Sequence, residues 1–190
     1  AQPSQPLEVT VLDVGQGDAI LVDLPDRRRM LIDGGGALTG SGPDPGRLIV
    51  LPVLRARRIT HLDVLVLTHP HPDHVNGLVA IAEQLSIGEF WDGGGPAGPP
   101  FGAGSPTEQI RAILKRRGTV IRTPSELCQA PHWFGRARID VLHPCGWSGG
   151  HAGGNDSSIV LRIGLGGRAV LLTGDAEHEA EAFLLEHRAS

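Results

Sequence analysis

Val64-Leu65-Val66-Leu67-Thr68-His69-Pro70-His71-Pro72-Asp73-His74 is the stretch whose reading decides the fold and points to the chemistry. Its first part is a short apolar run, and residues 62–68 are predicted to form a strand buried on both faces. Its second part sets three imidazoles and a carboxylate at the end of that strand, and residues 75–85 then read as a helix. Imidazole nitrogen and carboxylate oxygen both suit a borderline divalent ion such as zinc. The two prolines are expected to hold the turn extended, so that His69 and His71 face one side. A lone histidine is ordinarily structural or a surface residue. Four ligand-type side chains packed together at a strand end outweigh that reading and point to a metal site.

Working outward, residues 8–14, 19–24 and 30–33 read as strands, residues 47–58 as a helix and residues 87–91 as a short strand. Gly15-Gln16-Gly17-Asp18 is a hairpin signal between the first two strands. Gly34-Gly35-Gly36 breaks the third strand and lets backbone approach something closely. There is no G-x-x-x-x-G-K-[ST], which argues against a phosphate loop of that kind. Ser105-Pro106-Thr107-Glu108 is a helix start with N-cap, first-turn proline and capping-box glutamate, and that helix runs to about residue 117. Strands are predicted at 138–142, 157–163 and 169–173, and an acidic amphipathic helix at 176–187. Alternating strands and helices followed by antiparallel strands predict a layered α/β domain.

Three further carboxylates stand at strand ends beside glycine: Asp13, Asp33 and Asp175. A carboxylate ending a buried apolar strand is costly unless it is paired or metal-bound. Asp175 is therefore either a metal ligand or the N-cap of the helix behind it. His69 with His71 would hold one ion and Asp73 with His74 a second, bridged by Asp175. Such a pair positions and acidifies a water and clamps the attacked group. Neither cysteine lies in a recognisable nucleophile motif.

Composition sets the limits around this site. The chain has 190 residues, 40% hydrophobic, with 27 glycines, 15 prolines, no tyrosine, four phenylalanines and three tryptophans. That suits one domain with a real core, many loops and few aromatic stacking platforms. A net charge of −4 argues against nucleic-acid binding over the whole surface but leaves room for a local basic patch. The short basic runs at 27–29, 55–58 and 115–117 read as solvated loops or helix ends. No apolar stretch is long enough to span a membrane. Cys128 and Cys145 allow either one disulfide or two buried thiols. Residues 1–6 read as a linker or trimmed terminus, and 7–190 as the domain.

These motifs resemble the metallo-β-lactamase superfamily, in which H-x-H-x-D-H follows one apolar strand and T-G-D a later one. The segments Leu12-Asp13-Val14-Gly15-Gln16-Gly17-Asp18-Ala19, Leu31-Ile32-Asp33-Gly34-Gly35, Asn155-Asp156-Ser157-Ser158 and Leu171-Leu172-Thr173-Gly174-Asp175 narrow the resemblance. They are similar to the hydrolase domain of ComEC-type DNA-internalisation competence proteins. The resemblance implies an αββα sandwich with its metal site at the edge of two sheets, incomplete at its C-terminal side. It implies one or two divalent ions, Zn or Mn, held by His69, His71, Asp73, His74 and Asp175, with Asp73 and Asp175 as the catalytic carboxylates. Asp33 would support the metal loop, and Asp13, Gln16 and Asp18 would shape the site floor or meet substrate. Asn155 stands where many members carry a histidine, and His143 or His151 would substitute for it.

The resemblance also implies a His-His-Gly-Ser segment after the helix at 176–187, which this chain does not contain. A fragment or processed form, completion by another chain, and a degenerate member all fit that difference. The implied activity is a metal-dependent phosphodiesterase or nuclease, with DNA, single-stranded DNA included, as partner in competence-type uptake. The alternatives are hydrolysis of small esters, thioesters or lactams, or a non-catalytic binding module. The implied location is extracytoplasmic and bacterial, beside a membrane channel domain if the chain is part of a larger one. Oligomeric state is not legible.

Overall fold

The computed structural model describes residues 6–37, 42–95, 104–148 and 154–187. Strands β1 (Glu8–Val11), β2 (Ile20–Asp23), β3 (Arg29–Ile32), β4 (His61–Leu67), β5 (Ser86–Asp92) and β6 (Val120–Arg122) form one sheet in that order. The first three are antiparallel and the last four parallel. Strands β7 (His132–Phe134), β8 (Ala137–His143), β9 (Val160–Leu165) and β10 (Arg168–Leu172) form a second, antiparallel sheet in the order β10-β9-β8-β7. The helices are α1 (Leu51–Ala56), α2 (Pro72–Gln84), α3 (Pro106–Arg116), α4 (Pro124–Leu127) and α5 (His178–Glu186).

Strand β4 shows why the layers form. Its last four residues are fully buried, as the parallel centre of a covered sheet requires. Leu65 and Leu67 join the core that packs against α1, α2 and α3, with Leu51, Leu54, Leu78, Ile81, Ile110 and Leu114. Val64 and Val66 join a second core between the sheets, with Met30, Ile32, Trp91, Ile139, Leu161 and Ile163. The alternation of a strand thus feeds two cores from one segment. Helix α5 lies against β8, its Phe183 ring 5.7 Å from the ring of His143. The result is the expected αββα layering.

Several element boundaries differ from the sequence reading. Helix α2 begins at Pro72 rather than residue 75, with His71 extended at its N-cap and Pro72 in its first turn. The turn is therefore extended only as far as His71, and Asp73 and His74 project from helix. The expected helix at 47–58 is a π-helical turn, Gly46–Val50, running into α1. The first strand ends at Val11, so residues 12–19 form a longer connection than a tight hairpin. Residues 155–157 form a 3₁₀ turn instead of opening the strand. β6, α4 and β7 were not expected; each spans three or four residues, too few to show a period.

The glycine-rich segments are explained by what they touch. A Cβ at Gly36 would overlap the Pro72 carbonyl, and one at Gly77 the Gly34 carbonyl. Gly34 N donates to His74 O at 2.9 Å and Gly77 N to Gly35 O at 3.0 Å. The glycine loop after β3 is thus a cradle for the first turns of α2. The opening loop closes the other side: Gly36 N donates to Gln16 O at 3.3 Å, and Gly17 lies directly against the Asp73 backbone with φ +74°.

A disulfide joins Cys128, at the end of α4, to Cys145 after β8, with a Cα–Cα distance of 5.4 Å. Closing a loop of 17 residues restricts the unfolded chain by about 3 kcal/mol.

Gly15 and Gly17 both have positive φ, but nothing lies near a Cβ at Gly15. Gly15→Ala is expected to cost about 1–2 kcal/mol from backbone strain alone. Gly17→Ala is expected to cost clearly more, because it also displaces the Asp73 turn. Urea unfolding of the two variants beside the wild type measures the difference; equal losses would reject the packing role of Gly17.

Candidate metal centre

The centre is built at the C-terminal ends of β3 and β4, the start of α2, and the loops before β9 and after β10. Asp33 ends β3 with φ +57° and no exposed surface. Its Oδ1 accepts the backbone N–H of Thr68 at 2.8 Å, and its Oδ2 accepts Thr68 Oγ1 at 2.6 Å. The same Oδ2 lies 2.8 Å from His74 Nδ1. The Asp33 carboxylate oxygen accepts, so His74 Nδ1 carries the hydrogen of this bond and its Nε2 faces Asp175. His69 is set the same way: its Nδ1 lies 3.1 Å from Thr68 Oγ1 and 3.3 Å from Ser158 Oγ. Thr68 Oγ1 already donates to Asp33, so it accepts from His69, which leaves His69 Nε2 turned inward.

One ring nitrogen each of His69 and His74 and one carboxylate oxygen of Asp175 lie within 4.8 Å of one another. His74 Nε2 is 3.2 Å from Asp175 Oδ1. The His69 ring lies 4.3 Å from the His74 ring and 4.6 Å from the His71 ring, centroid to centroid. Asp73 is buried at 4% exposure; its Oδ2 accepts Gln16 Nε2 at 3.2 Å.

Among the described residues, the buried side-chain atoms with no hydrogen-bond partner are His69 Nε2, Asp73 Oδ1, His74 Nε2, His143 Nε2 and Asn155 Oδ1. Leaving such an atom unpaired costs about 1–3 kcal/mol. Every one belongs to a residue singled out from the sequence. A divalent cation satisfies bare imidazole nitrogens and carboxylate oxygens together, so the residues present fit a metal ion. His69, His74 and Asp175 form the most compact set.

Electrostatics agree with that set. Burial, with His74 and His71 close by, lowers the His69 pKa to about 3, so the ring stays neutral with a lone pair available. At His74 burial acts downward, but the hydrogen bond and charge of Asp33, then Asp175 and Asp73, outweigh it and raise the pKa to about 9. A metal ion takes the place of the proton that this acidic surround attracts. Burial pushes the Asp33 carboxyl up while the His74 and Thr68 donors pull it down.

The remaining expected residues fall in different places. The compact set draws one histidine from each of the two expected ligand pairs, rather than a pair together. His71 is half-buried at the N-cap of α2, beside the set but not in it. Asp175 is not a helix N-cap; Glu177 takes that position. Asn155 donates from Nδ2 to Glu177 Oε1 at 2.7 Å. Asp18 contributes its backbone carbonyl, which accepts Gly35 N at 2.8 Å. Asp13 is exposed, and its Oδ1 accepts Gly15 N at 3.3 Å within its own turn. His143 is buried with Nδ1 3.0 Å from Ser158 O and its ring 4.8 Å from Trp147, outside the compact set. His151 lies outside the described residues.

Thr68, Ser158 and Asp156 were not assigned roles from sequence. Thr68 directly precedes His69, and the other two belong to the Asn155-Asp156-Ser157-Ser158 segment, so the signal was adjacent to residues already singled out. Asp156 Oδ1 accepts the backbone N–H of Glu177 at 3.0 Å and of Ala180 at 2.9 Å, which fixes the loop carrying Asp175.

Comparison with known proteins agrees with this architecture. ComE operon protein 3 of Bacillus subtilis is 30% identical over 187 residues, covering 92% of this chain and 23% of that protein. Competence protein ComA of Neisseria gonorrhoeae is 30% identical over 185 residues, covering 97% of this chain and 22% of that protein. The chain thus spans under a quarter of the length of these relatives. Among solved structures, a metallo-beta-lactamase from Cronobacter sakazakii superposes with a TM-score of 0.53 at 16% identity, covering 86% of this chain and 59% of that one. A putative metallo-beta-lactamase from Thermotoga maritima gives 0.52 at 14% identity, covering 98% and 87%. These structural likenesses speak to the fold alone. The family model described as the metallo-beta-lactamase superfamily matches residues 12–187, and with two sheets, their helices and the histidine cluster where that match runs, this chain belongs to the metallo-beta-lactamase superfamily.

Proposed function

We propose that this domain is a metal-dependent phosphodiesterase that cleaves DNA, single-stranded DNA foremost, during DNA uptake. The observation that carries the reading is the convergence of the buried His69 and His74 rings on the Asp175 carboxylate, whose Oδ1 lies 3.2 Å from His74 Nε2. DNA as substrate is supported by the names of the relatives, among them a competence protein and, at 30% identity over 178 residues, Recombination protein 2 of Haemophilus influenzae.

His69, His74 and Asp175 would hold a divalent ion, Zn or Mn, with His71 and Asp73 completing the ligand set or a second position. When bound, such an ion supplies a Lewis acid and an acidified water at neutral pH. The chain's own residues do the rest. Asp33 fixes the Nδ1–H tautomer of His74 and raises its basicity. Thr68 and Ser158 fix His69 in the same tautomer. Asp73, anchored by Gln16 through Oδ2, presents a buried, partnerless Oδ1 that orients the attacking water and takes its proton. Asn155, whose side chain lies against His69, contacts substrate or its leaving group in this reading.

Residues 7–190 act in this reading as one hydrolase domain, with residues 1–6 leading into it. An extracytoplasmic site of action, beside the membrane channel of a DNA-uptake protein, is supported by these relatives and by the Cys128–Cys145 disulfide, which persists in oxidising compartments. Among the described residues no helix is long and apolar enough to cross a membrane.

With Mn²⁺ or Zn²⁺ supplied, the protein is expected to cleave single-stranded DNA. His71→Ala/Asp73→Ala is expected to reduce the rate at least ~100-fold, the scale of losing a general base. Wild-type cleavage no greater than that of the double variant would overturn the reading. Asp33→Asn keeps the size of the side chain but weakens the His74 partnership. It is expected to lower metal affinity about 10–100-fold, measured by competition with a chromogenic chelator. Unchanged affinity would remove Asp33 from the design.

A further inference from the structure

We propose that His143 is a positioning residue of the metal centre: it holds the Ser158 carbonyl and thereby sets the place of His69 and the approach of Asp175. This rests on the reading of His69, His74 and Asp175 as the metal-holding set. It adds a support from the second sheet to the one that Asp33 gives from the first.

A bulge puts His143 where it can do this. Strands β8 and β9 pair in regular steps from Arg138 with Gly164 to Val141 with Leu161, and then His143 rather than Leu142 faces Val160. One extra residue in β8 therefore turns the end of the strand over. With regular alternation His143 would point between the sheets, as Ile139 and Val141 do. The shifted pairing sets it on the face of Val160 instead, opposite to that of Leu161. That face lies under α5, where the Phe183 ring packs 5.7 Å from the His143 ring. The Trp147 ring packs against it at 4.8 Å, and His143 is left with no exposed surface. The turn behind it is anchored twice. Trp147 N donates to Pro144 O at 3.0 Å, and Cys145 carries the disulfide to the end of α4.

From that position the imidazole reaches the loop before β9. Its Nδ1 lies 3.0 Å from Ser158 O; a carbonyl only accepts, so Nδ1 carries the hydrogen of this bond. Ser158 is itself fully buried, and its other groups meet the centre. Its Oγ is 3.3 Å from His69 Nδ1. Its backbone N–H donates to Asn155 O at 3.0 Å, and the next one, of Ile159, donates to Thr68 O at 3.0 Å. A Cβ at Gly174 would stand 3.2 Å from Ser158 Cβ and 3.0 Å from Thr68 Cβ, so the residue before Asp175 packs directly on both. Ser158 thus touches one ligand histidine and the chain that delivers the ligand carboxylate. A shift of Ser158 displaces both.

The contacts separate this role from two others. His143 is not in the compact ligand set; it reaches His69 only through Ser158. Packing under α5 calls for an aromatic ring but not for an imidazole. A ring that also donates to a buried carbonyl fixes that carbonyl in place, because leaving it without a donor is costly. His69 is then oriented from both sides, by Thr68 on its own strand and by Ser158 under the hold of His143. Outer partners of this kind keep a ligand ring ready for the ion, and metal affinity depends on them.

The test separates the donor from the ring. His143→Phe keeps an aromatic ring under α5 and removes the donor. His143→Asn removes the ring and keeps an N–H close to the Nδ1 position. Zn²⁺ affinity of the whole chain is measured by competition with a chromogenic chelator, with urea unfolding of the metal-free proteins beside it. His143→Phe is expected to bind Zn²⁺ about 10–100-fold more weakly than wild type. His143→Asn is expected to keep most of the wild-type affinity, although it unfolds at lower urea for want of the ring. Affinities that follow the urea midpoints, with His143→Asn the weaker binder, would overturn the positioning role in favour of packing. Wild-type affinity in both variants would overturn it as well. Ser158→Ala removes the hydroxyl at His69 and is expected to weaken Zn²⁺ binding too. Combined with His143→Phe, it is expected to lose less than the product of the two single losses, because both act on His69 along one path. The full product would overturn the route through Ser158. Zn²⁺ bound in the expected order without cleavage of DNA would sink the phosphodiesterase reading alone. No Zn²⁺ on the wild-type chain would sink the metal centre and this support with it.

Discussion

The buried carboxylate of Asp33 is the constraint on which the rest depends. It accepts two hydrogen bonds from Thr68 at the end of β4 and one from His74 in the first turn of α2. A fully buried carboxylate is costly unless all its contacts are made, and these contacts tie the end of β3 to two other elements. β3, β4 and α2 therefore cannot shift relative to one another without leaving a charge or a donor unpaired. The same bonds decide which nitrogen of His74 faces inward, and through Thr68 they decide it for His69. One side chain thus couples the stability of the parallel strands to the chemistry of the site.

That coupling explains why the site is unsatisfied where the fold around it is satisfied. Backbone groups of the glycine cradle, the opening loop and the first turn of α2 pair closely with one another. Against this, His69, His74, Asp73 and Asn155 each keep one buried atom without a partner. A fold selected for stability alone would have little reason to keep four such atoms beside one another. A centre that receives a cation has that reason.

Much of this was legible from residues near one another in sequence. The apolar run 62–68 and the ligand cluster behind it follow from local pattern, and they locate the centre at a strand end. Asp33 was readable as a support because it ends a strand beside glycines. The start of α2 was misplaced, although Pro72 in the first turn and an extended residue before it are a recognisable helix opening. The ligand grouping was not legible, since helix rather than extended turn carries Asp73 and His74, and turns them differently. The pairing of Cys128 with Cys145 was left open for want of spatial information. The Arg138–Asp140–Arg162 ion-pair trio was invisible, because antiparallel register across β8 and β9 brings it together and each arginine looks ordinary in its own segment.

His69, His74 and Asp175 stand as the proposed core of a divalent metal centre. Its most direct test is elemental analysis of the purified protein after equilibration with Zn²⁺ or Mn²⁺ and removal of free metal, with His69→Ala/His74→Ala alongside. At least one ion per wild-type chain is expected, and that ion is expected to be lost in the double variant. Less than one ion per wild-type chain, or equal metal in both proteins, would contradict it.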